Sequence, residues 1–201
     1  MSFAVDLFFL ARIIIGYCIG SIPSGYLIAR MYGIADIRDH GSGSIGATNV
    51  SRVLGLKFFF IVFLADFLKS YLYVLALAHY DFSQFDLMSA SIFLLIGNGY
   101  SLFFGSRSGK GVATTCGVLC ALAPLFLLIL LCGWLIVFLL SKTVGIASTI
   151  LFICMPVCAY FFIDFFADAA FLLPFTIFVS LWGLWLHRNN IYLYTRMLTQ
   201  I

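Results

Sequence analysis

The sequence contains no glutamate, so chemistry that needs a pair of glutamates is excluded. All of its acidic residues are aspartates, at positions 6, 36, 39, 66, 81, 86, 164 and 168. Charged residues make up only 9% of the chain, and there are three histidines. The formal net charge of +3 is small, and we expect no nucleic-acid partner. The six cysteines lie in apolar stretches with no histidine nearby, so we also expect no bound metal.

Apolar residues, in contrast, are abundant. They form 64% of the chain, the mean hydropathy is +1.14, and phenylalanine alone occurs 23 times. Several apolar runs reach the roughly 20 residues that a helix needs to cross the hydrocarbon core of a bilayer. We therefore predict an all-α integral membrane protein in which residues 1–201 form a single polytopic domain.

The number of crossings depends on how one long apolar run is interpreted. The runs cover residues 4–30, 53–79, 87–104, 112–140, 145–163 and 169–186. The run 112–140 contains Pro124, and proline breaks or kinks a helix. If the chain turns there, all the lysines and arginines of the polar segments lie on one side, as the positive-inside rule requires; Arg12 is the exception. This interpretation predicts a seven-helix bundle with one short helix at 112–123, the N-terminus outside and the C-terminus in the cytoplasm.

The polar segment "HGSGSIGATN", residues 40–49, contains the pattern G-x-G-x-x-G. A dinucleotide-binding fold also needs a preceding strand, and no strand pattern is present. Glycines nevertheless let backbone amides face an anion, and a following helix N-terminus adds partial positive charge. We expect "ATNVSRVLG" to open the second helix, with Thr48, Asn49 and Ser51 as caps or oxygen ligands and Arg52 one turn further on. The alternative is a hydrated, flexible loop.

Two further polar segments lie on the same predicted side. "GSRSGKGVAT", residues 105–114, differs from a nucleotide P-loop in its glycine spacing and in Gly111, which stands where a metal-binding hydroxyl belongs. It suits a phosphate site, or alternatively an anchor at the membrane surface. "HRNNIYLYTR", residues 187–196, follows the last predicted helix and by itself favours an anchor. Asp66 and Lys69, three residues apart within an apolar run, predict a structural ion pair.

Taken together, these segments resemble one family. "GSIPSGYLIARMYG" at 20–33, "DIRDHGSGSIGATNVSR" at 36–52, "GNGYSLFFGSRSGKGVAT" at 97–114 and "HRNNI" at 187–191 occur in an order and spacing similar to those of the bacterial acyl-phosphate:glycerol-3-phosphate acyltransferases of the PlsY type. Asp66 and Lys69 match a D-x-x-K of that family.

The resemblance implies a reaction and a location. An acyl group passes from acyl phosphate to the sn-1 hydroxyl of glycerol 3-phosphate, which gives lysophosphatidic acid and phosphate for phospholipid synthesis. The partners are these two substrates and membrane lipid, in a multi-pass protein of the bacterial cytoplasmic (inner) membrane whose site faces the cytoplasm. Because an acyl phosphate is already activated, no cofactor is expected.

The resemblance also implies site residues. Catalytic roles fall on Ser42, Arg52, His187 and Asn190. Phosphate-binding roles fall on Gly41, Gly43, Gly46, Thr48, Asn49, Arg107, Gly109, Lys110, Gly111 and Ser148. The base that removes the hydroxyl proton is either His187 or an oxygen of the departing phosphate.

The chain departs from the family pattern at several positions. Ser44 replaces an asparagine, Asn98 a histidine, Ser101 a proline and Ser108 a glycine. Gly145 replaces a serine, Leu193 replaces an arginine, and a closing glutamate of the third motif is absent. Two alternatives therefore stand beside the active acyltransferase. One is a degenerate paralogue that binds lipid phosphates, and the other is an acyltransferase with a different acceptor.

Overall fold

Every regular element that the structure describes is helical, which confirms the predicted all-α class. The structure is a computed structural model that describes residues 7–80, 82–104, 108–162 and 171–198. Its α-helices are α1 (Leu7–Ser21), α2 (Ser24–Met31), α3 (Ala47–Leu54), α4 (Lys57–His79), α5 (Gln84–Gly99), α6 (Val112–Leu122), α7 (Pro124–Ser141), α8 (Val144–Phe162) and α9 (Leu172–Leu198), with a 3-10 turn at Ile37–Asp39. The chain divides into two compact units, Met1–Leu122 and Ala123–Ile201.

The apolar helices agree with the predicted membrane segments. Among the described residues, four segments are long and apolar enough to cross a membrane: Leu7–Met31, Lys57–His79, Pro124–Ser141 and Val144–Phe161. The helix break predicted at Pro124 is confirmed, because α6 ends at Leu122 and Pro124 is the first residue of α7. Proline suits that position, since its missing N–H would have no partner in the first turn of a helix.

The first apolar segment is broken, a feature that its hydropathy does not predict. Pro23 separates α1 from α2 and cannot supply an amide hydrogen to the preceding turn. Neighbouring side chains satisfy the exposed carbonyls. Lys69 Nζ donates to the carbonyls of Gly20 at 3.2 Å and Ile22 at 2.9 Å, and Ser101 Oγ donates to that of Ser21 at 2.7 Å. The break is therefore a fixed bend.

Small residues allow α1 and α5 to pack closely in the first unit. Gly16 and Gly20 are four residues apart on α1 and face α5. A Cβ atom on Gly20 would lie 2.0 Å from the Leu94 carbonyl oxygen, so no larger residue fits there. This small-xxx-small spacing is a common way for helices to approach each other in membranes.

The second predicted membrane helix begins later than expected. "ATNVSRVLG" does not open it; these residues form the separate short helix α3, which ends at Gly55. Gly55 has φ +101°, a conformation that residues with a side chain rarely adopt, and α4 begins only at Lys57. The predicted capping side chains are not the N-cap, because Gly46 occupies that position without a side-chain bond.

Two largely buried ion pairs lie in the first unit, one within α4 and one between α1 and α5. The predicted pair of Asp66 and Lys69 is confirmed, with 2.7 Å between Oδ1 and Nζ. Arg12, the one cation that the charge argument left without a place, pairs with Asp86 at 2.6 Å. The guanidinium carbon also lies 4.3 Å from the centre of the Phe82 ring. This second pair joins the start of α1 to the start of α5, at the opposite ends of these helices from the Pro23 break and from Asn98.

In the second unit, α8 packs against α7 and α9. Gly183 of α9 lies against the Phe152 ring of α8, where a Cβ atom would approach ring carbons to 2.6 Å. Ser180 Oγ donates to the Phe152 carbonyl at 2.5 Å. The prediction that residues 187–196 follow the last helix is wrong, because α9 continues to Leu198. His187 and Asn190 therefore share one face of a helix.

Candidate active site

The first polar loop, residues 36–46, is organised by one buried side chain. Asn49, in the first turn of α3, is 1% exposed. Its Oδ1 accepts from the Ser42 amide at 2.8 Å, and its Nδ2 donates to the carbonyls of His40 at 2.9 Å and Ser44 at 2.8 Å. A longer bond of 3.3 Å reaches the Ile37 carbonyl. The amide group of Asn49 thus fixes the course of the loop.

The glycines of this loop are required by its geometry. Gly41 and Gly43 have φ values of +59° and +69°. A Cβ atom on Gly41 would also lie 2.2 Å from Asn49 Oδ1. The loop can therefore pass over Asn49 only with glycine at 41. Ser42, between the two glycines, has an exposed side chain on a backbone held by Asn49.

Sequence reasoning missed a second brace of this loop. Asp36 Oδ2 is 2.5 Å from Arg38 Nη2, and the Arg38 guanidinium lies 4.5 Å from the centre of the Phe104 ring. The hydrogen bonds from Arg38 lower the pKa of Asp36 to about 2, so its carboxylate is ionised at neutral pH. The D-x-R spacing was visible in the sequence, but the aromatic partner is 66 residues away along the chain (104 − 38).

The second polar loop, whose described residues are 100–104 and 108–111, rests at Gly109 on the end of α5. The Gly109 amide donates to the Asn98 carbonyl at 3.0 Å. A Cβ atom on Gly109 would lie 2.7 Å from Asn98 Nδ2, so the loop backbone passes directly over this side chain. Gly111 has φ +81° and leads into α6. Arg107 lies outside the described residues.

The structure brings the two polar loops together. Ser44 Oγ of the first loop donates to the Ser108 carbonyl of the second at 3.4 Å. Arg52 of α3 lowers the pKa of Lys110 by charge repulsion, a smaller effect than the burial of the lysine, which lowers it most. No aspartate in the described ranges forms an ion pair with Arg52. The adjacent cations form a site that favours a bound anion.

The remaining predicted site residues belong to the second unit. Ser148 on α8 is buried, and its Oγ accepts from Trp134 Nε1 at 3.2 Å. His187 on α9 is buried, with its Nδ1 2.9 Å from the Gly183 carbonyl. Because a carbonyl oxygen only accepts, Nδ1 carries a proton in this contact. Within the described residues, no group of three His, Cys or Asp side chains is arranged to hold a metal ion.

Comparison with known proteins identifies the family. The sequence model described as "Glycerol-3-phosphate acyltransferase" matches residues 10–196. The chain belongs to the glycerol-3-phosphate acyltransferase family. A relative of that name from Listeria monocytogenes (serotype 4a, strain HCC23) is 38% identical over 181 residues, which cover 89% of this chain and 88% of the relative. Another from Aquifex aeolicus (strain VF5) is 36% identical over 188 residues, covering 93% and 94%.

Solved structures of this acyltransferase family show the same fold. The glycerol 3-phosphate form of PlsY (YgiH), an integral membrane glycerol 3-phosphate acyltransferase, superposes with a TM-score of 0.83 at 35% identity, covering 96% of this chain and 92% of that chain. The lysophosphatidic acid form gives a TM-score of 0.81 at 34% identity, with the same coverage. The prediction of an integral membrane protein of the PlsY type is therefore confirmed.

Positions at which this acyltransferase departs from the family pattern make specific contacts in the first unit. Besides its bond to Ser108, Ser44 Oγ accepts from the Gly46 amide at 3.2 Å. Ser101 Oγ donates to the Ser21 carbonyl beside the Pro23 break. The Ser21 hydroxyl in turn accepts from the Leu102 amide at 3.2 Å. The serines thus act as local braces.

Proposed function

We propose that this chain is a membrane acyltransferase that moves an acyl group from acyl phosphate to the sn-1 hydroxyl of glycerol 3-phosphate. The products are lysophosphatidic acid, a precursor in phospholipid synthesis, and phosphate. The observation that carries the proposal is the contact of the two polar loops at Ser44 and Ser108, which brings Lys110 within the electrostatic influence of Arg52. The known activity of the relatives, as their names state it, supports the same reaction.

The paired cations explain the choice of substrate class. Burial and Arg52 both disfavour the charge on Lys110, and the negative charge of a bound phosphate would offset both effects. Both reactants carry a phosphate group, so the site has to position phosphates and one hydroxyl. Loop amides and two cations are sufficient for that task, and they also stabilise the negative charge that develops on the acyl oxygen.

The chemistry needs no covalent intermediate on the protein. The sn-1 oxygen forms a bond to the acyl carbon, and the bond between that carbon and the phosphate oxygen breaks, which releases phosphate. The hydroxyl proton goes to His187 or to an oxygen of the departing phosphate. Because His187 and Asn190 of α9 match a family motif, we keep them as proposed catalytic residues. For the same reason we keep Ser148 and Arg107 as proposed phosphate-binding residues.

Individual loop residues receive different roles. Ser42 presents its exposed hydroxyl to the substrate, from a backbone that Asn49 holds. Asn49 itself supports the loop instead of contacting phosphate, because its amide already binds four backbone groups. Thr48 and Gly41 supply a hydroxyl and an amide to the anion. Gly43 and Gly46 shape the loop, because their amides donate to the His40 carbonyl at 3.1 Å and to Ser44 Oγ at 3.2 Å.

We also propose a location and an orientation. The protein lies in the bacterial cytoplasmic membrane as a single domain, with the N-terminus outside and the C-terminus inside. The distribution of lysine and arginine over the polar segments supports a site that faces the cytoplasm, where glycerol 3-phosphate is available.

A transfer assay tests the function. Purified protein in detergent receives palmitoyl phosphate and radiolabelled glycerol 3-phosphate, and we expect label in lysophosphatidic acid. Arg52→Ala should lower kcat/KM by about 100-fold or more, since it removes one charged donor. Arg30→Ala is the matched control, because the hydrogen bonds of Arg30 to the described residues go to the Tyr26 hydroxyl and the Ala35 carbonyl. Binding of both substrates without turnover would identify a degenerate paralogue, and phosphate release without labelled lipid would indicate another acceptor.

A further inference from the structure

Lys69 does more than form an ion pair within α4. Its side chain is 10% exposed, and its Nζ lies 2.7 Å from Asp66 Oδ1. The same ammonium donates to the two carbonyls of the Pro23 break, those of Gly20 and Ile22. A fourth oxygen, Asn98 Oδ1, lies 3.3 Å away. The carboxylate of Asp66 balances the positive charge of Lys69. The ammonium group is thereby held in place by Asp66 and by the two carbonyls of the Pro23 break.

Asn98 connects this donor to the second polar loop. Asn98 is 4% exposed. Its side-chain oxygen accepts from Lys69, and its backbone carbonyl accepts from the Gly109 amide. The Gly109 backbone lies so close to the Asn98 amide that a Cβ atom could not be accommodated. The Asn98 side chain therefore lies against the backbone that leads directly into Lys110.

We propose that Lys69 is a positioning residue that places Lys110 for phosphate binding by holding Asn98. Lys69 touches the break and Asn98, and it acts on the substrate only through the loop. The proposal rests on the proposed function, because the phosphate bound near Lys110 belongs to a substrate of that reaction.

The first test separates positioning from stability. Lys69→Met should raise the KM for glycerol 3-phosphate about tenfold or more, while kcat changes by less than about threefold. A purely structural role would lower the thermal midpoint and the active fraction and leave KM unchanged. Lys57→Met, which removes an exposed lysine from the start of the same helix, should leave KM unchanged. An unaltered KM in Lys69→Met would overturn the proposal.

A double-mutant cycle tests whether Asn98 carries the effect. Asn98→Ala leaves the Asp66–Lys69 pair intact and should raise KM by a similar factor, also in the event that Lys69→Met does not fold. If Lys69 acts through Asn98, the double variant should be no worse than the more severe single variant. A KM increase equal to the product of the two single increases would show independent roles and refute the proposed route.

A binding measurement keeps this proposal separate from the proposed function. The affinity of the wild type and Lys69→Met for inorganic phosphate can be measured by calorimetry without turnover. We expect phosphate to bind about tenfold more weakly to the variant. If the wild type makes no lysophosphatidic acid but the affinity falls as expected, the proposed function fails and the positioning role stands. If the wild type is active and both KM and phosphate affinity are unchanged, only the positioning role fails.

Discussion

Replacement of Asn49 by leucine should release the first polar loop. Leucine has a similar size but removes all four hydrogen bonds between this buried side chain and the loop backbone. At about 1 kcal/mol for each bond, the loss is roughly 4 kcal/mol. Since 1.4 kcal/mol corresponds to a factor of ten, local opening of the loop should become about 1000-fold more favourable.

Hydrogen–deuterium exchange measured on peptides that cover residues 37–46 reads out this opening. Asn49→Asp should behave similarly, because it keeps the acceptor for the Ser42 amide and loses the donor to the three carbonyls. Ser51→Ala is the matched control on α3. It removes a single bond, to the Thr48 carbonyl at 3.0 Å, and should change exchange by no more than about tenfold. Exchange in Asn49→Leu within tenfold of the wild type would refute the conclusion that Asn49 holds the loop.

Two further predictions concern charged groups. Folding lowers the pKa of Lys110 below the ordinary lysine value of about 10.5. Protonation of this lysine therefore destabilises the folded state as the pH falls below 10.5. Lys110→Met should therefore raise the Tm at pH 7, and this gain should become smaller as the pH approaches 10.5. The variant should also lose the stabilisation that phosphate gives the wild type. A lower Tm of the variant at pH 7 would contradict this reasoning. Asp86→Asn should destabilise the first unit by about 3–5 kcal/mol in denaturant titrations by leaving Arg12 unpaired. Arg12→Met/Asp86→Leu should recover only part of the loss, because Asp86 Oδ2 also accepts from the Ser83 amide and hydroxyl at the start of α5. The KM for glycerol 3-phosphate should not change in any Arg12 or Asp86 variant, and a changed KM would link this ion pair to the site.

Patterns local to the sequence predicted several features correctly. Hydropathy identified the membrane segments, because the need to bury backbone polar groups in lipid forces long apolar helices. Pro124 marked a helix boundary, and the spacing of Asp66 and Lys69 marked an ion pair. The family motifs likewise selected the glycines of the first polar loop, two of which have the positive φ angles that glycine permits. Each of these features depends on residues within a few positions of one another.

Features that join distant segments were decided by the tertiary structure. The hydrophobic pattern is continuous across the Pro23 break, whose carbonyls are satisfied by Lys69 of α4 and by Ser101, two residues beyond the end of α5. The end of α9 is polar, and sequence reasoning placed it outside the helix for that reason, although a helix can continue beyond the apolar segment.

The residues of the candidate site were therefore predicted by the sequence, but several of their supports were not. Composition and motif order determined that this is a membrane acyltransferase with amide-rich loops. The hydrogen bonds that join Asn49 and Asn98 to the loops, and the charge interaction between Arg52 and Lys110, are visible only in the tertiary structure. The physical reason is that a hydrogen bond or a charge interaction depends on distance in space, and the second loop is separated from the first by two long helices.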